Sequence, residues 1–458
     1  MLNASFSMFN RRHFLRHLAG YSAMALPGMH FVQNLLAAEA KLKKENKSLI
    51  ILWMSGGPPS IDIWDLKPGQ PTGGEFKPMK TSVSGVEICE HMPKTAQQMK
   101  HLSIVRNLMT TEGDHNRGRV LMHTAHSPSP IINYPSLGSV ASYNLTPKEL
   151  ALPGFISVGR PADGPGFLGM NYAPFTVQNP GQPPENIRPP GVLGTEGDHR
   201  ILRRKSLFEG VEKSFKDENR GDASKAHMEV YNKAFSLVAS PLGQVFNLGS
   251  EKPSLQAEYG NNGFGRGCLL ARKLVENGVT CVEVDMGGWD LHQGIFPTLK
   301  NQRLPMLDNA MGALVKDLVD RGLWKNTVVV WMGEFGRTPR INQNAGRDHW
   351  ARCWSVVVGG GSIKGGQVIG GTDDDGMSVK GDAASVGDLF ATIYKGMGLD
   401  PALQIRDNLG RPLPIADGKP ISQLFYFYVS GTKRRKTGSR TTRFFYRLYP
   451  SNICRGLP

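Results

Sequence analysis

The stretch "SLIILWMSGG" (48–57) holds an unbroken apolar run of strand length that stops at two glycines. A strand with one wet face alternates polar and apolar residues; an unbroken run needs apolar cover on both faces, as in the parallel sheets of α/β proteins. Further strand candidates are "HLSIVRNL" (101–108), "GFISVG" (154–159), the β-rich "VTCVEVDM" (279–286), "TVVVWM" (327–332) and "WSVVVGGG" (354–361). The cover lies between these runs. "GCLLARKLVENG" (267–278) has helical spacing and ends on Gly278, a helix stop. "LPMLDNAMGALVKDLVDRG" (304–322) puts Leu304, Leu307, Met311, Leu314 and Leu318 on one helical face and stops at Gly322. "SVGDLFATIYKGMG" (385–398) opens on Ser385, a good N-cap. The predicted fold class is α/β, a mostly parallel sheet with helices on both faces.

Two internal regions depart from this rhythm. Residues 159–191 are rich in proline and glycine and suit a surface excursion, and 205–250 are helical and polar, suiting a lid; together 159–250 form a loop and helical insertion. The formal charge of +15 is concentrated at the ends, since 429–458 hold eight Lys or Arg and no acid. The body is only mildly basic, which discounts nucleic acid as a partner of the folded part. The tail differs abruptly in composition and reads as a disordered extension. Five cysteines, Cys89, Cys268, Cys281, Cys353 and Cys454, are too few and too scattered for a disulfide framework.

The first forty residues carry Arg11, Arg12, Phe14, Leu15 and Arg16, then a weakly apolar stretch ending in Ala38-Glu39-Ala40. Gly20, Pro27, Gly28, His30, Gln33 and Asn34 interrupt it, so it does not read as a membrane span. The pattern resembles a twin-arginine signal peptide over 1–40 with an A-x-A cleavage site. It implies passage through the twin-arginine export machinery to the periplasm or exterior and no membrane span in the mature protein. The α/β domain then runs from 41 to 428.

Chemistry concentrates where strands end. The first strand leads into "SGGPPSIDIWDLKP", with Ser55, Ser60, Asp62 and Asp65. "MTTEGDHNRGRVLMHTAH" brings Thr111, Asp114, His115, Arg117 and Arg119; "VDMGGWDLHQG" brings Asp285, Asp290 and His292; "WMGEFGRTPRINQNAGRDHW" brings Glu334, Arg337, Asp348 and His349. Any one of these loops is compatible with a solvated turn. In open α/β sheets, however, the loops at the carboxyl ends of the strands form the ligand crevice. Carboxylates gathered there repel unless a cation lies between them, and a mixed imidazole and carboxylate set suits Zn²⁺ or Mn²⁺ better than Ca²⁺. Asp285, Asp290, His292, Glu334, Asp348 and His349 are the candidate ligands. Arg117, Arg119 and Arg337 are candidates to hold an anion beside the metal. A metal beside an anion clamp points to hydrolysis of phosphate or sulfate esters, on a small-molecule or glycan substrate.

The twin-arginine start together with "SGGPPSIDIWDLKP", "DHNRGRVLMHTAHSP", "YPSLGS" (134–139), "VDMGGWDLH", "GEFGRTPRIN" and "GRDHW" resembles the bacterial, planctomycete-type domain-of-unknown-function family 1501. That family is grouped with the alkaline phosphatase-like and sulfatase-like superfamily. The resemblance implies an alkaline phosphatase-like fold and a metal-dependent hydrolase. Asp285 and His292 resemble a metal-binding Asp and His, Glu334 stands where the superfamily has the Asp of an Asp-His pair, and Asp348 and His349 fall where a later His completes a site. The sequence departs from the pattern at Ser55 and Gly56, which replace an Asp unless Asp62 substitutes for it, and at Phe335, which replaces a His. No hydroxyl stands where the usual nucleophile would; Thr111 is the nearest. A single metal with activated water, and His115 or His349 as acid or base, needs fewer of the missing parts. The competing expectation is a catalytically silent relative that binds a glycan, an anion or a protein partner at the same crevice.

Overall fold

The computed structural model describes residues 46–182, 184, 194–217, 230–232, 234, 235, 237 and 241–426. The twin-arginine segment, the tail from 427 and Cys454 lie outside the described residues. Eight strands form the central sheet: β1 (Ser48–Trp53), β2 (Leu102–Leu108), β3 (Phe155–Val158), β4 (Phe175–Val177), β5 (Cys281–Asp285), β6 (Thr327–Met332), β7 (Trp354–Gly360) and β8 (Val368–Ile369). Their spatial order is β8-β2-β7-β6-β1-β5-β3-β4.

β1 is buried along its whole length, which explains its unbroken apolar run. Its residues alternate between two cores, as the strand period of two requires. Leu49 and Ile51 pack in one with Met122, Leu137, Val140, Phe390 and Ile393. Those residues belong to α1 (His115–Thr124), α2 (Leu137–Leu145) and α5 (Val386–Met397). Ile50 and Leu52 pack in the other with Leu270, Leu274, Leu307, Met311 and Leu314 of α3 (Gly263–Glu276) and α4 (Leu304–Asp320). Helices therefore cover both faces. Burying each such side chain contributes about 1.5–3 kcal/mol, so truncating Leu52 to alanine in this packed layer costs about 2–5 kcal/mol. Helix α5 shows why its ends fall where they do. The Ser385 hydroxyl accepts from the Asp388 N–H, the Asp388 carboxylate accepts from the Ser385 N–H, and Gly398 closes the helix at φ 87°.

β1 pairs in parallel with β5 and β6, and β5 with β3. β7 runs antiparallel to both neighbours, β2 and β6. Two parallel neighbours need a crossover of a dozen or more residues, usually helical. Between β6 and β7 there is no helix, only a ribbon pairing Gly336–Arg337 with His349–Trp350. The chain thus turns back on itself, and the amino end of β7 lies at the rim where the parallel strands have their carboxyl ends. Two strands escape sequence reading by being short: β8, and β4, which lies inside the Pro/Gly-rich excursion and forms one sheet edge against β3. Within the polar insertion, Gly194–Asp217 is helical. Among the described residues no helix is long and apolar enough to cross a membrane. Cys89, Cys268, Cys281 and Cys353 are free and buried.

Candidate metal centre

The loops after β1, β5 and β6, the start of α1 and the approach to β7 meet at one rim. Close backbone contact holds them. Gly56 has φ 113°, and a Cβ there would lie 2.5 Å from the Asp290 nitrogen. A Cβ on Gly346 would lie 2.0 Å from the His292 carbonyl carbon, so only glycine lets the loop before β7 rest on the loop after β5. A buried ion pair adds a second tie. Arg347 donates to both Asp62 carboxylate oxygens at 2.7 Å and to the Thr338 carbonyl at 3.0 Å. Arg347 and Asp62 are both buried, and the two residues after the arginine are Asp348 and His349. Burial raises the Asp62 carboxyl pKa against the pull of Arg347. Asp62 therefore anchors the loop and does not stand in for a missing ligand.

Three imidazoles converge on Asp290. Its Oδ1 lies 2.8 Å from His292 Nε2, 3.3 Å from His349 Nε2 and 3.4 Å from His115 Nε2. The His292 and His349 Nε2 atoms are 3.2 Å apart. Ligand atoms of His115, Asp290 and His349 all lie within 4.8 Å of one another. The opposite nitrogen of each ring faces an oxygen. His115 Nδ1 lies 2.7 Å from Glu334 Oε1, His292 Nδ1 lies 2.8 Å from Asp348 Oδ1, and His349 Nδ1 lies 2.8 Å from the Gly113 carbonyl. A carbonyl or carboxylate only accepts, so each Nδ1 is placed to donate outward, and a cation lying between the Nε2 atoms and Asp290 would be met by Nε2 lone pairs. This is how metal-binding histidines are held, with an outer oxygen fixing tautomer and orientation. Two atoms at the centre remain unpartnered and buried, His115 Nε2 and Glu334 Oε2.

The floor is apolar. Phe335 is fully buried, with its ring centroid 4.9 Å from that of His115 and 4.6 Å from that of His349. Burial pushes the His349 pKa down, which favours the neutral ring. The bond to Glu334 pushes His115 up. Burial opposes ionisation of Asp290, yet the Arg337 guanidinium bonded to it, with His115 and His292, holds its carboxyl well below the usual carboxylate range. The bond from His292 likewise lowers Asp348.

The sequence-derived candidates thus divide. Asp290 and His349 meet with His115, assigned from sequence as an acid or base, in one group of ligand atoms; His292 borders it, with Nε2 2.8 Å from Asp290 Oδ1 and 3.3 Å from Arg337 Nη1. Glu334 and Asp348 stand behind the imidazoles; Glu334 also accepts from the Gly56 N–H at 2.8 Å. Asp285 turns to the Ser55 hydroxyl and lies 3.7 Å from Arg160 Nε, with no hydrogen bond or ion pair to the cluster among the described residues. Burial raises its pKa against the Ser55 bond. The three arginines are occupied elsewhere. Arg117 is bidentate to Glu112 at 2.7 and 2.8 Å, and Arg119 pairs with Asp163. The Arg337 side chain is fully buried and donates to the Gly57 and Arg347 carbonyls at 2.8 and 3.1 Å, to the Gly56 carbonyl, and to Asp290 at 2.5 Å. Thr111 is exposed and lines a groove beside His349.

Arg337 corrects one step of the sequence argument. Repulsion among carboxylates called for a cation, but this buried guanidinium already supplies one to Asp290. Room for a metal lies instead at His115 and His349, whose Nε2 atoms Arg337 does not reach, whereas His292 Nε2 is hydrogen-bonded to Arg337 at 3.3 Å. The sequence offers Arg337 as an anion holder, but it shows neither the pairing of Arg337 with Asp290 nor the Arg347–Asp62 tie. The signal available was weak, an arginine following glycine in "FGRTPR" and "AGRDHW".

A mostly parallel sheet whose rim loops gather imidazoles around a carboxylate defines an α/β protein with a preformed polar crevice at its strand ends. The chain belongs to the family described as "Protein of unknown function (DUF1501)", whose model matches residues 46–425. A search of curated proteins finds no match to it. Solved structures that it resembles include Ps i-CgsB, with TM-score 0.40 and 11% identity over 83% of this chain and 76% of that one. The PsFucS1 sulfatase from Pseudoalteromonas sp. gives TM-score 0.36 and 14% identity over 80% of this chain and 70% of that one. A mutant of TAB5 alkaline phosphatase with Mg bound gives TM-score 0.31 and 10% identity over 77% and 98%. At such distances the likeness carries no residue roles across.

Proposed function

We propose that the chain is an exported, metal-dependent hydrolase of phosphate or sulfate esters. The observation that carries the metal is the convergence of three Nε2 atoms on Asp290 with each Nδ1 tied to an oxygen. Three imidazoles and a carboxylate suit Zn²⁺ or Mn²⁺ better than Ca²⁺. His115, His292, His349 and Asp290 would hold the ion, with Glu334, Asp348 and the Gly113 carbonyl fixing the rings. When bound there, a divalent ion supplies Lewis acidity to the ester oxygen and acidifies water. The chain's own part is to hold the rings in place through Glu334, Asp348 and the Gly113 carbonyl and, with the buried Phe335 packed beneath His115 and His349, to keep water from their inner side. In the reaction a water oxygen bonds to phosphorus or sulfur, the bond to the ester oxygen breaks, and the alcohol leaves with a proton. Single-turnover assays with 4-nitrophenyl phosphate and 4-nitrophenyl sulfate, with and without Zn²⁺ or Mn²⁺, test this. Metal-dependent release of nitrophenol is the predicted result, and release of none with a loaded site overturns it.

A second reading is favoured by the arginines. Arg117 and Arg119 each pair with a neighbouring carboxylate, Glu112 and Asp163, Arg337 is buried against the Asp290 rim, and no hydroxyl of the described residues bonds to the imidazole cluster. A protein that keeps the cluster to bind a glycan, an anion or a protein partner without turnover fits these facts. Ligand binding that needs the metal, without hydrolysis, selects it. By the sequence reading, export uses the twin-arginine machinery; fractionation of cells carrying Arg11→Lys and Arg12→Lys checks that part.

A further inference from the structure

A groove of about 580 Å³ opens directly beside the cluster. His349 and Gly113 line both, and the hydrogen bond between them, 2.8 Å long, is the wall that the two spaces share. We propose that this groove holds the alcohol moiety of the ester, a ring-sized group with an apolar face that is uncharged or anionic but not cationic. The proposal rests on the hydrolase reading and names the substrate class for that same site.

Three observations carry it. The first is continuity, since His349 belongs to the cluster and to the groove lining, and Gly113, which holds its ring at 2.8 Å, lines the groove as well. The second is composition. Met109 and Met377, 48% and 37% exposed, line the groove together and give it an apolar patch. Methionine is flexible and polarisable and adapts to irregular apolar ligands. The exposed hydroxyl-bearing residues Thr111 and Ser378 line the same groove, giving it apolar faces with hydroxyl edges, as a sugar ring or similar alcohol requires. The third is charge. Arg352, with its guanidinium carbon 5.5 Å from the Trp350 ring centroid, is the cation of the lining, and no Asp or Glu lines the groove. A cationic alcohol would meet a like charge at Arg352, which disfavours it at the lining. The volume falls within the range of small-ligand pockets, about 300–1,000 Å³, enough for one or two rings.

The test uses the full-length metal-loaded protein with 4-nitrophenyl phosphate, glucose 6-phosphate and choline phosphate, the last bearing a cationic alcohol. The double substitution Met109→Ser with Met377→Ser should raise KM for the nitrophenyl and glucose esters about tenfold, with kcat within about twofold. Inhibition by inorganic phosphate, which has no alcohol to lose, and the metal content should stay unchanged. Arg352→Glu should improve choline phosphate relative to glucose 6-phosphate. Unchanged KM for every ester, or equal weakening of inorganic phosphate, overturns the groove assignment while leaving the hydrolase in place. Absence of turnover of any ester by the metal-loaded wild type removes the hydrolase reading, and this inference with it.

Discussion

Helix α1 carries two histidines in contrasting states. His115 opens it, half-exposed, with Nδ1 on Glu334 and a buried Nε2 that has no hydrogen-bond partner. His123, two turns on, is buried, with Nδ1 on the Arg119 carbonyl at 2.9 Å and Nε2 between both Glu283 oxygens at 3.2 Å. Asp163 adds an oxygen 3.1 Å from Nδ1. Burial would lower the His123 pKa, but Glu283 and Asp163 outweigh it and hold the ring up at about 9. Both rings face carboxylates, yet one has a nitrogen to spare and the other has none. On the proposed reading the first is a ligand, and the second is a charged clamp between helix and sheet.

Substitutions separate these roles. The largest effect falls on metal binding. His349→Ala should lower metal affinity at least about 100-fold, read by elemental analysis after dialysis, since outer-sphere changes alone cost about 10–100-fold. His123→Ala should leave metal content unchanged but lower stability by about 3–5 kcal/mol in chemical denaturation, because it leaves Glu283 buried without its partner. If His123→Ala empties the site as His349→Ala does, the contrast between the two rings is wrong. Glu334→Gln should be milder, about 10–100-fold in metal affinity with little change in stability; an unaltered affinity would show that His115 does not depend on it.

A further effect is one of pH. His123 has a folded pKa of about 9 against an ordinary 6.5. A raised pKa in a basic group stabilises the fold fully below the unfolded value and less as pH rises through the folded one. The stability margin of wild type over His123→Gln should therefore be constant below pH ~6.5 and shrink as pH rises through about 9. A margin that grows over that window would reverse the sign of the assignment.

Much of the fold is legible in the sequence because burial on both faces forces long apolar runs. β1, β2, β3, β5, β6 and β7 coincide with such runs, and α3, α4 and α5 with helical periodicity ended by glycine or opened by a cap. The direction of β7 is not legible, since an apolar run shows that a strand is buried and not which way it lies; only the lack of a helix before it hints at reversal. β4 and β8, three and two residues long, are too short for periodicity. For the crevice, charged residues after strands mark the loops that meet. What each residue does within it depends on partners far away in sequence. Asp285 and Asp290 read alike, yet one accepts from Ser55 and the other from Arg337. Arg337 reads as an anion holder but is spent on carbonyls and Asp290, and Asp62 reads as a possible ligand but is bound by Arg347.

The central claim is that the Nε2 atoms of His115, His292 and His349, with Asp290, form a single divalent-metal site. The most direct measurement is the metal content of the protein purified without added ions, with X-ray absorption at the edge of whatever metal is found. Near one equivalent per chain, with a first shell of imidazole nitrogens that loses nitrogen in His292→Ala, is the predicted result. A metal-free protein that takes up no Zn²⁺ or Mn²⁺, or a bound metal whose shell is unchanged in His292→Ala, would contradict it.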